Sequence, residues 1–554
     1  MKENRSLMAL PSLFKDKYFW LSLIVPGFVL SLTLWFGIGM DQAIYAYGAW
    51  VWKYYQLPPY IGAWDGNYPG IFIIHRAALE LFGPTIIGFR IFDFLAQLSC
   101  LFMIYYLAKK ISGSGKSAFL VCLFYSFYYF GRGRWDAGQR DAFAFWFLLG
   151  AVFFSAALKN RTWLRPVLVG LAAGFAFLIR PTYGLSWPVL GTFLLGQGLS
   201  KRPVKIWLEL FIFSIACLVP SIIVIFYYSS GGYLNELFRA LIIYDFEIYS
   251  KVKPPVAVDS WPAIPFFTLN TVFSSQPLIA LLALFSVLNF FGGEGATEEK
   301  GTLKLVLAMI CAVLFSYLLL GKNLQYHLIP FWGFMIVVSG VAVKTIGTVL
   351  EKSFPGIAGR TLAAVFYLLL VFFTFASIPD KWVGHAVRHS FRDLESGYLS
   401  GVDVVDQLLS DNHYQAAKYL KGELRPEDQV EVFGAHPLIP FLIGRKLPSR
   451  FVCVQHLFFS PGRRPLSAMQ KNWIREYTAS VISARPRFFV LADQEINLTT
   501  ALSKPTFKQA LVEQFPELKA FLENNYRPFK KIGQTEIYEL LPDSEGGRGG
   551  QARP

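Results

Sequence analysis

The chain has 554 residues, 54% of them apolar, with 53 Phe, 27 Tyr and 14 Trp and a mean hydropathy of +0.42, which excludes a string of ordinary soluble domains. The formal net charge of +15 does not mark a nucleic-acid binder, because the basic residues collect in short loops between apolar runs, where positive-inside sorting puts them. The five cysteines have no paired spacing and four of them lie in apolar runs, so neither a disulfide framework nor a zinc site is indicated.

Residues 1–17 are polar and basic and belong in the cytoplasm. The apolar run at about 19–37 has no small-x-small cleavage site and reads as an uncleaved first span. The segment from Gly37 to Gly70 then opens with Asp41 and Tyr45, one helical turn apart. A carboxylate this close to a bilayer is costly unless it has a partner or a task. Asp41 is either that or an interfacial cap, set in an aromatic belt of Trp50, Trp52, Tyr54, Tyr55 and Tyr60. Asp65 follows in the same loop. Residues 69–83 are too short to span and predict an interfacial helix.

Further spans are expected at about 85–107, 117–130, 142–158, 166–179, 182–198, 207–228, 265–291, 303–320, 328–347 and 361–378, each an apolar run bounded by charge. The total is about eleven, with the N-terminus inside. Outward loops then fall at 38–84, 131–141 and 229–261. Residues 1–379 form the membrane domain, 380–542 an extracytoplasmic domain, and 543–554 a disordered tail. In the C-terminal region helix-like runs (Tyr414–Lys421, Met469–Ser483, Lys508–Asn524) alternate with strand-like ones (Gln429–Phe433, Phe451–Val454, Arg487–Leu491, Glu536–Leu540). That alternation predicts an α/β domain. It lacks a Gly-x-Gly-x-x-Gly loop, so nucleotide binding is not supported.

Charges on the wrong side carry the functional signal. Arg132, Arg134 and Arg140 crowd the second outward loop beside Asp136 and Asp141, and Arg180 and Lys322 also face outward. Sorting opposes that placement. An anionic ligand such as a phosphate would favour it; self-pairing of Asp136 with Arg140, one turn apart, is the alternative. Arg90 and Asp93 have the spacing of a structural ion pair. His327 is either a phosphate donor or a buried histidine at a helix start.

These residues resemble a known family. An Asp after the first span, then Tyr68-Pro-Gly-x5-Arg76-x5-Phe82-Gly-Pro-Thr-x4-Arg90, is similar to the start of GT-C fold glycosyltransferases of the protein-mannosyltransferase and aminoarabinose-transferase type. Asp141, Phe177-Leu-Ile-Arg180-Pro-Thr-Tyr-Gly184, Lys322-x4-His327-x2-Pro330 and the stretch from Pro437 to Arg450 resemble later blocks. The resemblance covers most of the chain and implies an α-helical polytopic membrane protein with a C-terminal extracytoplasmic α/β domain. It also implies a plasma (inner) membrane enzyme that moves a sugar, with inversion, from a polyprenyl-phosphate carrier to an acceptor hydroxyl.

Asp41 matches the family's first-loop acid, Asp141 (or Asp136) the second-loop acid, and Arg180 a lipid-phosphate-binding position. Arg132, Arg134, Arg140, Lys322, His327 and Tyr326 are further donor-site candidates, and Tyr45 and Asp65 candidate sugar or acceptor contacts. The acceptor class stays open among glycan, lipid and protein. No cofactor is implied with certainty. A divalent cation is one option, and Asp41-Gln42, where many relatives have Asp-Glu, argues against tight metal binding. A lipid-linked-sugar transporter is the main rival, but polar residues gather at span ends rather than in span middles, where a flippase needs them. A non-catalytic scaffold would not need Asp41.

Overall fold

The computed structural model describes residues 13–159, 163–198, 203–251, 275–292, 297–322, 324–354, 356–378, 404–435, 437–458, 465–492 and 506–542. The expected boundary at 379/380, residues 252–261 of the loop after span seven and the tail 543–554 lie outside them. The chain is a polytopic helical membrane protein with a small C-terminal sheet domain. Helix prevails because lipid offers no partner to a backbone N–H or C=O, which must then be satisfied within the segment.

Among the described residues, seven helices have the length and apolarity to cross a bilayer: Lys17–Trp35, Ile86–Ser112, Arg140–Ala157, Ile206–Ser230, Lys300–Leu320, Gln325–Ser353 and Ile357–Ala376. The other expected spans fall on shorter helices, Gly115–Gly131, Leu164–Ile179, Ser186–Gly198 and Pro277–Gly292. Every expected span therefore overlaps a helix, residues 265–274 of the span expected at 265–291 lying outside the described residues, and the number that cross the membrane is not fixed at eleven. The interfacial segment forms the helix Pro69–Phe82.

The chain divides into two compact units: Met1–Gln42, Asn67–Asn235 and Val256–Val402 in the first, Ala43–Gly66, Glu236–Pro255 and Asp403–Pro554 in the second. In the first unit, polar caps set where helices begin. Asp16 accepts from Tyr18 N at the start of Lys17–Ser31 and also takes Tyr105 Oη at 2.6 Å and Lys109 Nζ at 2.5 Å. Thr85 accepts from Gly88 N at the start of Ile86–Ser112. Helices Leu164–Ile179 and Pro203–Ser230 approach closely through Gly170-x-x-x-Gly174. A Cβ on Gly170 would lie 2.6 Å from Phe213 O, so small residues are what permit this crossing.

The second unit is built on a four-stranded sheet of order β1-β2-β4-β3, comprising β1 Val430–Phe433, β2 Phe488–Ala492, β3 Tyr526–Ile532 and β4 Thr535–Leu540. β1 and β2 are parallel; β4 runs antiparallel to both β2 and β3. Gly533, at φ +56°, opens the tight β3–β4 turn. Two readings of this region are corrected. Phe451–Val454 is buried and apolar but not a strand: Phe451 N and Val452 N bond locally, to Ser449 Oγ and Arg450 O, and Val454 N alone makes a single bond to Gly434 O rather than a ladder. Lys508–Asn524 is not one helix, because Pro516 lacks an N–H and forces Phe515 out of the helical region, leaving Phe507–Gln514 and Pro516–Asn525.

Polar nodes join the three segments of this unit. Arg450 donates to Tyr60 O at 2.9 Å, pairs with Glu236 at 2.8 Å and with Glu476 at 2.7 Å. Tyr47 Oη accepts from Leu447 N at 2.8 Å. His456 Nδ1 meets Tyr244 Oη at 2.5 Å, and its Nε2 stands 3.8 Å from Asp65. Trp64, Phe451 and Trp473 pack around this group. Trp50 and Tyr60, read as belt residues, are instead buried; Tyr54 and Tyr55 are exposed.

Candidate active site

The site in the first unit is organised on a buried guanidinium. Arg90, on helix Ile86–Ser112, is fully buried, as are Gln42, Asp93 and Gln97. It donates to Phe36 O at 3.1 Å and to Gly37 O on one side, and to Ala137 O at 2.7 Å and Arg134 O at 3.1 Å on the other. Gln42 completes the join: its Oε1 accepts from Arg90 and from Gly39 N, and its Nε2 donates to the carbonyls of Arg134, Trp135 and Ala137. The segments following the first and third spans are thereby held in one arrangement.

A polar ring beneath neutralises the guanidinium. Asp93 lies 3.5 Å from Arg90 and accepts from Tyr129 Oη at 2.6 Å and Gln97 Nε2 at 3.1 Å. Tyr129 Oη accepts in turn from Gly138 N at 2.7 Å. The expected Arg90–Asp93 pair is therefore present. It is one edge of a network that compensates the buried charge, as burial demands.

Above this base stand the carboxylates. Asp41, half-buried in the first turn of helix Met40–Tyr55, accepts from Gln139 Nε2 at 3.2 Å. Gln139 is the N-cap of helix Arg140–Ala157, whose second residue is Asp141. Asp141 is fully buried, receives Arg180 Nη1 at 2.9 Å and the Tyr183 hydroxyl on the same oxygen, and has Arg140 Nε 3.9 Å from the other. Asp136 pairs with Arg132 at 3.7 Å. Self-pairing in this loop thus includes Arg132. Burial, together with the nearby charges of Asp141 and Asp41, pushes the Asp136 carboxyl up to about 6, with Arg132 opposing the shift.

The cations collect on the Asp141 side. Arg180 sits between helix Leu164–Ile179 and the short turn Pro181–Leu185. Ser316 Oγ bonds Thr182 Oγ1 at 2.6 Å and ties that turn to helix Thr297–Leu320. Lys322 and His327 follow that helix, and Arg180, Arg140 and Lys322 all act electrostatically on His327. Both ring nitrogens of His327 and Nη2 of Arg180 are buried without a hydrogen-bond partner. The Tyr326 ring stands edge-on to His327 at 4.4 Å. Unfilled donors in a cationic recess are what an anionic oxygen cluster would satisfy.

Asp41, Asp136, Asp141, Arg132, Arg140, Arg180, Lys322, His327 and Tyr326 thus share the first unit. Arg134 is there too, buried, its carbonyl spent on Arg90 and Gln42. Tyr45 and Asp65 belong to the second unit, Tyr45 fully buried and Asp65 beside His456. Sequence reading missed Gln42, Gln139 and Tyr183 as site residues and saw Arg90 only as half of an ion pair. Gln42 Oε1 is turned to Arg90, and among the described residues no group of three or more His, Cys, Asp or Glu side chains is arranged to hold an ion.

Residues 67–224 match the family model of dolichyl-phosphate-mannose-protein mannosyltransferase. Among solved structures, ArnT from Cupriavidus metallidurans bound to undecaprenyl phosphate is 14% identical with a TM-score of 0.57, covering 95% of this chain and 99% of that one. AglB from Archaeoglobus fulgidus, in complex with an inhibitory peptide and a dolichol-phosphate, is 10% identical with a TM-score of 0.52, covering 96% of this chain and 75% of that one. No curated protein sequence matches the chain. The fold is of the GT-C type, as the resemblance drawn from the sequence implied.

Proposed function

We propose that the chain is an inverting glycosyltransferase that moves a sugar from a polyprenyl-phosphate carrier to an acceptor hydroxyl at the extracytoplasmic face of the plasma membrane. The observation that carries this reading is a half-buried carboxylate, Asp41, in one constellation with the cations Arg132, Arg140, Arg180 and Lys322. The likeness to folds solved with undecaprenyl phosphate and dolichol-phosphate supports the donor class.

The chemistry divides between two groups of residues. As the acceptor oxygen bonds the anomeric carbon and the carbon–phosphate oxygen bond breaks, Asp41 takes the hydroxyl proton. The lipid phosphate leaves with growing negative charge, which fixed cations stabilise without reorganising. Asp141 acts through Arg180: its Oδ1 meets Arg180 Nη1 and the Tyr183 hydroxyl and orients the cation.

Purified full-length protein, given polyprenyl-phosphate sugars that differ in the sugar and a panel of hydroxyl acceptors, tests this reading. Transfer with inverted anomeric configuration is the expected result. Binding of donors without sugar transfer to any acceptor would contradict it.

A further inference from the structure

We propose that Arg90 is a positioning residue for this transfer, fixing Asp41 against the N-terminus of helix Arg140–Ala157 by gripping the backbone of both inter-span segments at once. The inference rests on the reaction proposed above and adds a residue that touches neither donor nor acceptor.

The geometry has a specific logic. A guanidinium carries its donors in a rigid planar fork. Here the fork is divided: Nε goes to Phe36 O, Nη2 to Gly37 O, Gln42 Oε1 and Arg134 O, and Nη1 to Ala137 O. Asp41 lies on the chain between Gly37 and Gln42, and Gln139, which holds Asp41, lies two residues beyond Ala137. Both ends of the Asp41–Gln139 contact are thus set by one side chain on a third element. Gly138 completes the fit. It takes φ +76°, and a Cβ there would come within 2.9 Å of Arg90 Nη1. Such a clamp has more parts than folding a loop requires. It is the kind of second layer that holds a base in place, where a shift of about 1 Å can cost on the order of 100-fold in rate.

Two variants of the full-length protein test it. Arg90→Lys keeps the charge beside Asp93 but loses the fork; Gly138→Ala keeps Arg90 but sets a Cβ 2.9 Å from its Nη1, displacing the fork from Ala137 O. Two readouts are taken. Hydrogen exchange in the absence of donor is expected to accelerate at Gly39 and at Ala137, Gly138 and Gln139 together, and to stay unchanged in helix Ile329–Ser353. In turnover, kcat is expected to fall about tenfold or more with the KM for donor kept within about twofold.

Faster exchange in only one of the two segments, or in neither, overturns the clamp. Faster exchange in both with kcat intact overturns the positioning role and leaves Arg90 a purely structural residue. If the wild type moves no sugar from any donor, it is the reaction that fails, and the exchange arm still upholds or overturns the clamp. Should Arg90→Lys fail to fold, Gly138→Ala decides by the same criteria.

Discussion

Arg180 Nη1 meets Asp141 Oδ1 at 2.9 Å with both side chains almost wholly buried, and this pair fixes what each can do. The pair leaves Asp141 its Oδ2 and Arg180 its Nη2 without a hydrogen-bond partner. A buried cation with a donor to spare suits an anionic ligand better than it suits a finished structural pair.

Arg180→Ala is expected to weaken binding of the donor lipid by about 1.5–3 kcal/mol, the range for hydrogen bonds to charged groups. It also strands Asp141, which should cost about 3–5 kcal/mol of stability. The double variant Arg180→Ala/Asp141→Asn separates the two effects. Thermal unfolding should recover while donor affinity stays low. Recovery of both would make Arg180 a purely structural partner.

Asp136 sets a pH dependence whose sign can be worked out. Its carboxyl is raised from 3.8 to about 6, so the folded chain holds a proton that the unfolded chain has released. Its contribution to stability therefore declines as pH rises across that window. Above about 6 it is ionised beside Arg132 and offsets the cationic surface. Affinity for a sugar phosphodiester, which has no titration of its own near neutrality, should fall as pH rises through about 6, and Asp136→Asn should flatten the curve. Titration of donor affinity between pH 5 and 8 checks this; an unchanged slope in Asp136→Asn removes the residue from the donor's field.

The second unit is expected to weaken on acidification. Burial depresses His456, with Asp65 opposing, and brings His413 down to about 4. Both stay neutral in the fold at pH values where the unfolded chain takes up protons, so stability is lost as pH falls below about 6.5. Tyr244 Oη, Asp65 and the ring of Trp64 adjoin the His456 imidazole, and Trp473 packs on Tyr244 and Trp64. Unfolding of the full-length protein, followed by tryptophan emission between pH 7 and 5, should show this loss. His456→Gln should make the slope shallower by up to about one proton, or about 1.4 kcal/mol per pH unit. An identical slope would show that His456 is not responsible.

The helices were legible because lipid imposes a length and an apolarity that the sequence must display, as in Ile86–Ser112. The α/β character of the C-terminal region was legible from alternation, but Phe451–Val454 was not. Burial and apolarity do not reveal where a backbone amide finds its acceptor. Arg180, Lys322 and the arginines of residues 131–141 could be singled out because charge sorting opposes them. The clamp could not be, because Arg90 and Gln42 bond to carbonyls, which every residue carries, and no spacing announces that. Tyr244 and His456 escaped for a related reason: their partners come from segments far apart in the chain.

The central claim is that Asp41 is the base, and the most direct test is turnover of Asp41→Asn beside a donor-binding assay on the same purified protein. Asparagine keeps the size and an acceptor for Gln139 but cannot take the acceptor's proton. Transfer is expected to fall by about 100-fold or more, the usual scale for a lost general base, with donor affinity and thermal stability near wild type. Turnover near wild type in the folded variant would contradict the account.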